Sequence, residues 1–145
     1  MSNIVILTLI AIIGGVAVTL QAQFMGVMDQ SLGTLESVFI TYGSGGLLVG
    51  LAMLAMRGGH LAAWRTLPWY AMLAGVAGLV IVGSIGYVTP RLGLVATFTI
   101  FVATQFVFGA VMDHFGLFGA TVRPIDFSTL TGMAIVLVGV WLIVR

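Results

Sequence analysis

Apolar and small residues run along this chain in five long blocks, broken by short stretches that hold its turn-forming and charged residues. No block alternates with period two as a half-buried strand does, and each is about twenty residues long, enough at ~1.5 Å per residue to cross the roughly 30 Å hydrocarbon core of a bilayer. The pattern predicts an all-α integral membrane protein with about five transmembrane helices, over residues 3–23, 36–56, 69–87, 92–113 and 128–144. Residues 1–145 then form a single transmembrane domain. The stretch LGLVATFTIFVATQFVFGAVMDHFGLFG, residues 92–119, is the most informative, because one amide, Gln105, lies near the middle of its apolar run. An amide facing lipid has no partner, so Gln105 should face protein or a water-lined cavity.

The breaks between blocks are also legible. MGVMDQSLGTLES reads as a first loop with Gly26 and Gly33 as breakers and Asp29 and Ser31 as turn residues. RGGHLAAWRTLPW is aqueous at Arg57, His60 and Arg65, with Trp64 and Trp69 suited to the interface. Thr89, Pro90 and Arg91 read as a tight turn into the fourth helix, and Asp126 or Ser128 as the cap of the fifth. Inside the spans, Gly46 and Gly50 make a GxxxG pair, while Gly75 with Gly78 and Gly132 with Gly139 offer thin faces for close helix packing.

Composition agrees with the pattern: 61% of residues are hydrophobic, 6% are charged and mean hydropathy is +1.24. With no extramembrane segment long enough for a core of its own, any binding must occur among the helices. Cysteine is absent, which removes disulfides and thiolate metal sites, and lysine is absent, which removes Schiff-base chemistry. No nucleophile, base and orienting group come together, and no glycine loop follows a strand, so the chain does not read as an enzyme and calls for no cofactor or metal. A net charge of +1 without a basic cluster gives no nucleic-acid footprint.

Five spans put the termini on opposite sides of the membrane. Arg57, Arg65 and Arg123 then fall on the side of the N-terminus, and Arg91 and Arg145 on the other. Orientation follows an excess of basic residues in cytoplasmic loops, and an excess of one is weak instruction. The chain can therefore either keep one orientation, with its N-terminus inside, or insert both ways and pair antiparallel, giving ten helices as two inverted copies with a site at their interface, the logic of many secondary transporters.

The polar residues within or beside the spans are the candidate solute contacts. Gln21, Tyr87 and Gln105 would line a central cavity, with Glu36 supplying negative charge at its mouth. Each also has a plainer role. Glu36 suits the positive end of a helix dipole, and a membrane glutamine commonly holds a neighbouring helix.

The segment TPRLGLVATFTIFVATQFVFGAVMDHFGLFG, followed by RPIDFSTLTGMAIVLVGVWLIV, resembles the YdcZ-like family of the drug/metabolite transporter superfamily. Its D-x-FG-L-FG motif, here Asp113 to Gly119, is the most specific element, and LQAQFMGVMDQSLGTLESVFITYGSGGLL and PWYAMLAGVAGLVIV extend the likeness over nearly the whole chain. The resemblance implies a five-helix half of a ten-helix inverted-repeat fold in the bacterial inner membrane, exporting small molecules. Its partners would be membrane lipids, a small-molecule solute, and either a second copy in an antiparallel homodimer or a paralogue in a heterodimer. The expected function is a secondary transporter that exports small organic solutes by alternating access. The alternative is a small, non-transporting integral subunit of a larger membrane complex.

Overall fold

The computed structural model describes residues 2–56 and 61–145; the expected polar positions Arg57 and His60 lie outside the described residues. Five α-helices run through the described residues: α1 (Ser2–Leu32), α2 (Thr34–Ala55), α3 (Ala74–Leu92), α4 (Leu94–Phe115) and α5 (Phe127–Val144). Short 3-10 turns occupy Leu61–Thr66, Trp69–Leu73 and Leu117–Gly119, and no strand occurs among the described residues. Five segments, Ile4–Leu32, Thr34–Ala55, Trp69–Leu92, Leu94–Phe115 and Phe127–Val144, are long and apolar enough to cross a membrane. A helix satisfies its own backbone, which hydrocarbon cannot do, so an uninterrupted apolar run has no competing solution there.

Helix ends depart from the sequence reading at two places. α1 continues through the expected first loop to Leu32 rather than ending near Gln23, and α3 continues through Thr89, Pro90 and Arg91 to Leu92 rather than turning before them. Each of these helices is separated from the next by one glycine with positive φ, Gly33 at 106° and Gly93 at 82°. A residue with a side chain is strained in that region, so the glycine alone does the work expected of a loop. Each glycine carbonyl also accepts the first backbone bond of the following helix, from Ser37 N at 3.1 Å and from Thr97 N at 3.1 Å.

By internal packing the residues gather into two compact units, Met1–Arg91 and Leu92–Arg145. In the first unit the buried positions gather where the end of α1, the start of α2 and the end of α3 meet: Ala22, Met25 and Asp29, then Ser37, then Ile85 and Thr89. The approach is close because two glycines line it. A Cβ on Gly86 would lie 3.2 Å from Met25 Cε and 3.5 Å from Ser37 Oγ, and one on Gly26 would lie 3.5 Å from the Pro90 ring. Gly26, read from sequence as a helix breaker, is thus a packing residue inside α1. Among the glycines expected to pack, Gly78 faces the Tyr42 side chain, whereas Gly46, Gly50, Gly75, Gly132 and Gly139 have nothing within 4 Å of a built Cβ. Their thin faces are open within the chain.

The second unit pairs α4 with α5. α4 ends at Gly116, which is left-handed at φ 62° and returns its N–H to the carbonyls of Met112 and Asp113. Phe118 at φ 55° and Gly119 at φ 84° continue the reversal. The D-x-FG-L-FG motif is therefore a helix C-cap with its turn, and its glycines stand where backbone geometry requires them. Asp126 caps α5 by accepting from Thr129 N at 2.7 Å and from Thr129 Oγ1 at 2.6 Å. Hydrogen bonding, led by the Thr129 hydroxyl, holds the Asp126 carboxyl below its ordinary pKa.

A candidate solute groove between α4 and α5

Gln105, Gly109 and Asp113 follow one another at intervals of four on α4, so they share one face. Opposite them α5 presents Thr129, Gly132 and Met133, and the space between is an open groove of about 540 Å³. That volume is in the range that takes a small organic molecule, roughly 300–1,000 Å³. Gly109 and Gly132 keep it open by presenting no side chain, and Phe106, Pro124, Ile125 and Val136 make the rest of the lining mostly apolar. The Gln105 amide has no hydrogen-bond partner among the described residues, so its donors and acceptor are available to whatever enters.

The mouth is built by the turn after α4. Arg123 N donates to the Asp113 carbonyl at 2.9 Å, and Ile125 N donates to His114 Nδ1 at 3.0 Å. The second bond requires Nδ1 to be the unprotonated nitrogen of the imidazole. Together the two bonds lay the Arg123–Ile125 segment against the end of α4, and all three of its residues line the groove with Asp113. His114, one of the two histidines, is thus a backbone anchor.

Of the other residues expected to meet solute, Gln21 lines a separate groove of about 360 Å³ between α1 and α2, together with Met25, Thr41 and Ser44. Its amide also lacks a partner among the described residues. Glu36 is exposed in the first turn of α2, folded over Gly33, where a built Cβ would meet its Oε2 at 2.8 Å. It lines a shallow apolar hollow with Leu32, Leu35, Phe39 and Ile40. Tyr87 is 51% exposed, with the Arg91 guanidinium 3.6 Å over its ring centre. Gln21, Glu36 and Tyr87 therefore occupy distinct surroundings in the first unit, and Gln105 holds a groove of its own in the second.

Sequence reading does not bring Asp113 and Arg123 together at the groove. The spacing of Gln105, Gly109 and Asp113 was a usable signal, whereas the return of Arg123 to that face depends on three left-handed residues in the intervening turn. The ion pair of Asp29 with Arg91 is also hidden from the sequence, because turn chemistry assigns both residues to loops.

Five apolar helices of membrane length, with a small solute-sized groove between two of them, define a multi-pass membrane protein. The family model described as "Putative inner membrane exporter, YdcZ" matches residues 6–142, nearly the whole chain. The chain belongs to that family, one of inner-membrane exporters rather than of enzymes. No curated protein and no solved structure matches it.

Proposed function

We propose that this chain is a secondary transporter that exports small organic solutes by alternating access, working as an antiparallel homodimer. The observation that carries the reading is the α4–α5 groove, where an unpartnered amide sits in a mostly apolar, solute-sized space inside a membrane span. A polar group left without a partner in hydrocarbon is costly, and a passing solute or water relieves that cost.

The exposed surface supports the pairing. Large apolar side chains are exposed along all five helices, while the buried apolar core among the described residues is limited to Ala22, Met25, Ile85 and Ala103. Lipid covers such a surface well, and so does an inverted copy. Gly46, Gly50, Gly75, Gly132 and Gly139 would let its backbone approach closely. Gln105 in the α4–α5 groove would meet a polar group of the solute.

Purified protein in liposomes, screened against a broad solute panel, should give saturable counterflow, and Gln105→Leu should lower it about tenfold, the equivalent of one lost hydrogen bond of ~1.4 kcal/mol. Folded, dimeric protein that gives no saturable counterflow for any solute would contradict the proposal.

A further inference from the structure

Among the described residues two aspartates stand beside an arginine, and the two pairs are in opposite states. Asp29 and Arg91 are closed on each other, with Arg91 Nη1 3.0 Å from Asp29 Oδ2. Asp113 and Arg123 are joined through their backbones instead, by the 2.9 Å bond from Arg123 N to the Asp113 carbonyl. Yet neither the Asp113 carboxylate nor the Arg123 guanidinium makes a hydrogen bond or ion pair among the described residues. Both residues line the mouth of the same groove.

A carboxylate and a guanidinium that spring from hydrogen-bonded neighbours and do not meet each other can be bridged by one small molecule. It needs a cationic group for Asp113 and an anionic group for Arg123, set a few bonds apart. Arg123 is exposed and Asp113 is partly so, at the aqueous end of α4, so water hydrates both charges when the groove is empty. Beyond them the lining is apolar as far as Gln105, two turns deeper at roughly 12 Å along the helix.

We propose that this groove recognises a small zwitterion with an apolar body, its ammonium on Asp113, its carboxylate on Arg123 and its body laid toward Gln105. The inference rests on the exporter reading for its physiological meaning, but the recognition it describes is a matter of binding alone. Phosphatidylethanolamine, whose headgroup has both charges, offers the same chemistry from the membrane, so lipid composition belongs in the test.

The probe is radiolabelled L-phenylalanine, with phenethylamine and 3-phenylpropionate as single-charge analogues, bound to the full chain in nanodiscs made only of phosphatidylglycerol. Phenylalanine should bind at least tenfold more tightly than either analogue. Asp113→Asn should remove its advantage over 3-phenylpropionate, and Arg123→Gln its advantage over phenethylamine. Both substitutions spare the backbone bond between the two residues, and an unchanged thermal midpoint in detergent would show that the fold survives them. Displacement of phenylalanine by added phosphatidylethanolamine would support the zwitterion chemistry and name lipid as a competing source. Equal binding of all three probes, or no binding of phenylalanine in either lipid, would overturn the assignment. Selective binding without counterflow of any solute would leave the assignment standing and remove the exporter reading. Saturable counterflow of single-charge solutes, with no preference for zwitterions, would do the reverse.

Discussion

Arg91 Nη1 lies 3.0 Å from Asp29 Oδ2, tying the last turn of α3 to the last turns of α1. The aspartate side chain is 4% exposed and the arginine 49%, so the pair is buried on one side and open on the other. Thr34 also donates to the Asp29 carboxylate, and Arg91 donates to its own helix at the Tyr87 carbonyl, 2.5 Å away. The Asp29 carboxylate thus joins α1 to α3 through the ion pair and to the start of α2 through the Thr34 hydroxyl, where the buried residues of the first unit gather.

Removing the arginine strands a buried carboxylate, which is worse than removing both charges. Arg91→Ala should cost about 1–2 kcal/mol of stability, less than the loss of a fully buried pair because half of the arginine is in solvent. The double variant Asp29→Asn, Arg91→Gln should recover part of that loss. Thermal unfolding in detergent distinguishes them, and a double variant less stable than Arg91→Ala alone would contradict this view of the pair.

The two glycine breaks separate backbone strain from side-chain crowding. Gly93→Ala meets open space and should pay only for its backbone conformation, φ 82° with ψ 158°, about 1–3 kcal/mol. Gly33→Ala meets the same strain and must also displace the Glu36 carboxylate from 2.8 Å. It should be the more destabilising of the two, and Gly33→Ala combined with Glu36→Ala should return to the level of Gly93→Ala in the same unfolding assay.

Two glycines on the helices should respond oppositely to added bulk. Gly86→Leu drives a side chain into Met25 and Ser37 and should lower protomer stability by about 1–3 kcal/mol. Gly46→Leu meets nothing within 4 Å among the described residues, so it should leave the protomer unchanged and weaken the proposed dimer instead. Unfolding midpoints and light scattering in mild detergent read the two effects separately.

The Asp126 cap makes the start of α5 sensitive to acid. Its folded pKa is depressed by the Thr129 hydroxyl and backbone, so its contribution is fully present above the unfolded carboxyl value. That contribution is lost as pH falls through the folded value. Amide exchange at Thr129 should accelerate in that acid range in the native chain, while Asp126→Asn should keep much of the cap and lose the pH dependence.

The five spans were legible because lipid demands unbroken apolar helices, and a run of twenty such residues has few other readings. Loop signals were misleading for the same reason. Gly26, Asp29, Thr89 and Pro90 carry turn chemistry in water, but here they meet one another inside a helical cluster, where glycine admits a neighbour and aspartate finds an arginine. Which polar residues share a site was harder to read, because helices apolar on every face give no stripe to orient them. Asp113 could be put on the Gln105 face by its spacing of eight, whereas Arg123 required the path of the turn between α4 and α5.

If two inverted copies make the transporter, both orientations of the chain must occur in the membrane. A reporter active only in the cytoplasm and, separately, one active only outside it can each be fused after Arg145. Signal from both at comparable expression is the expected result, as the arginine balance of three on one side and two on the other implies. Signal from one reporter alone would mean a fixed orientation and would contradict the antiparallel homodimer.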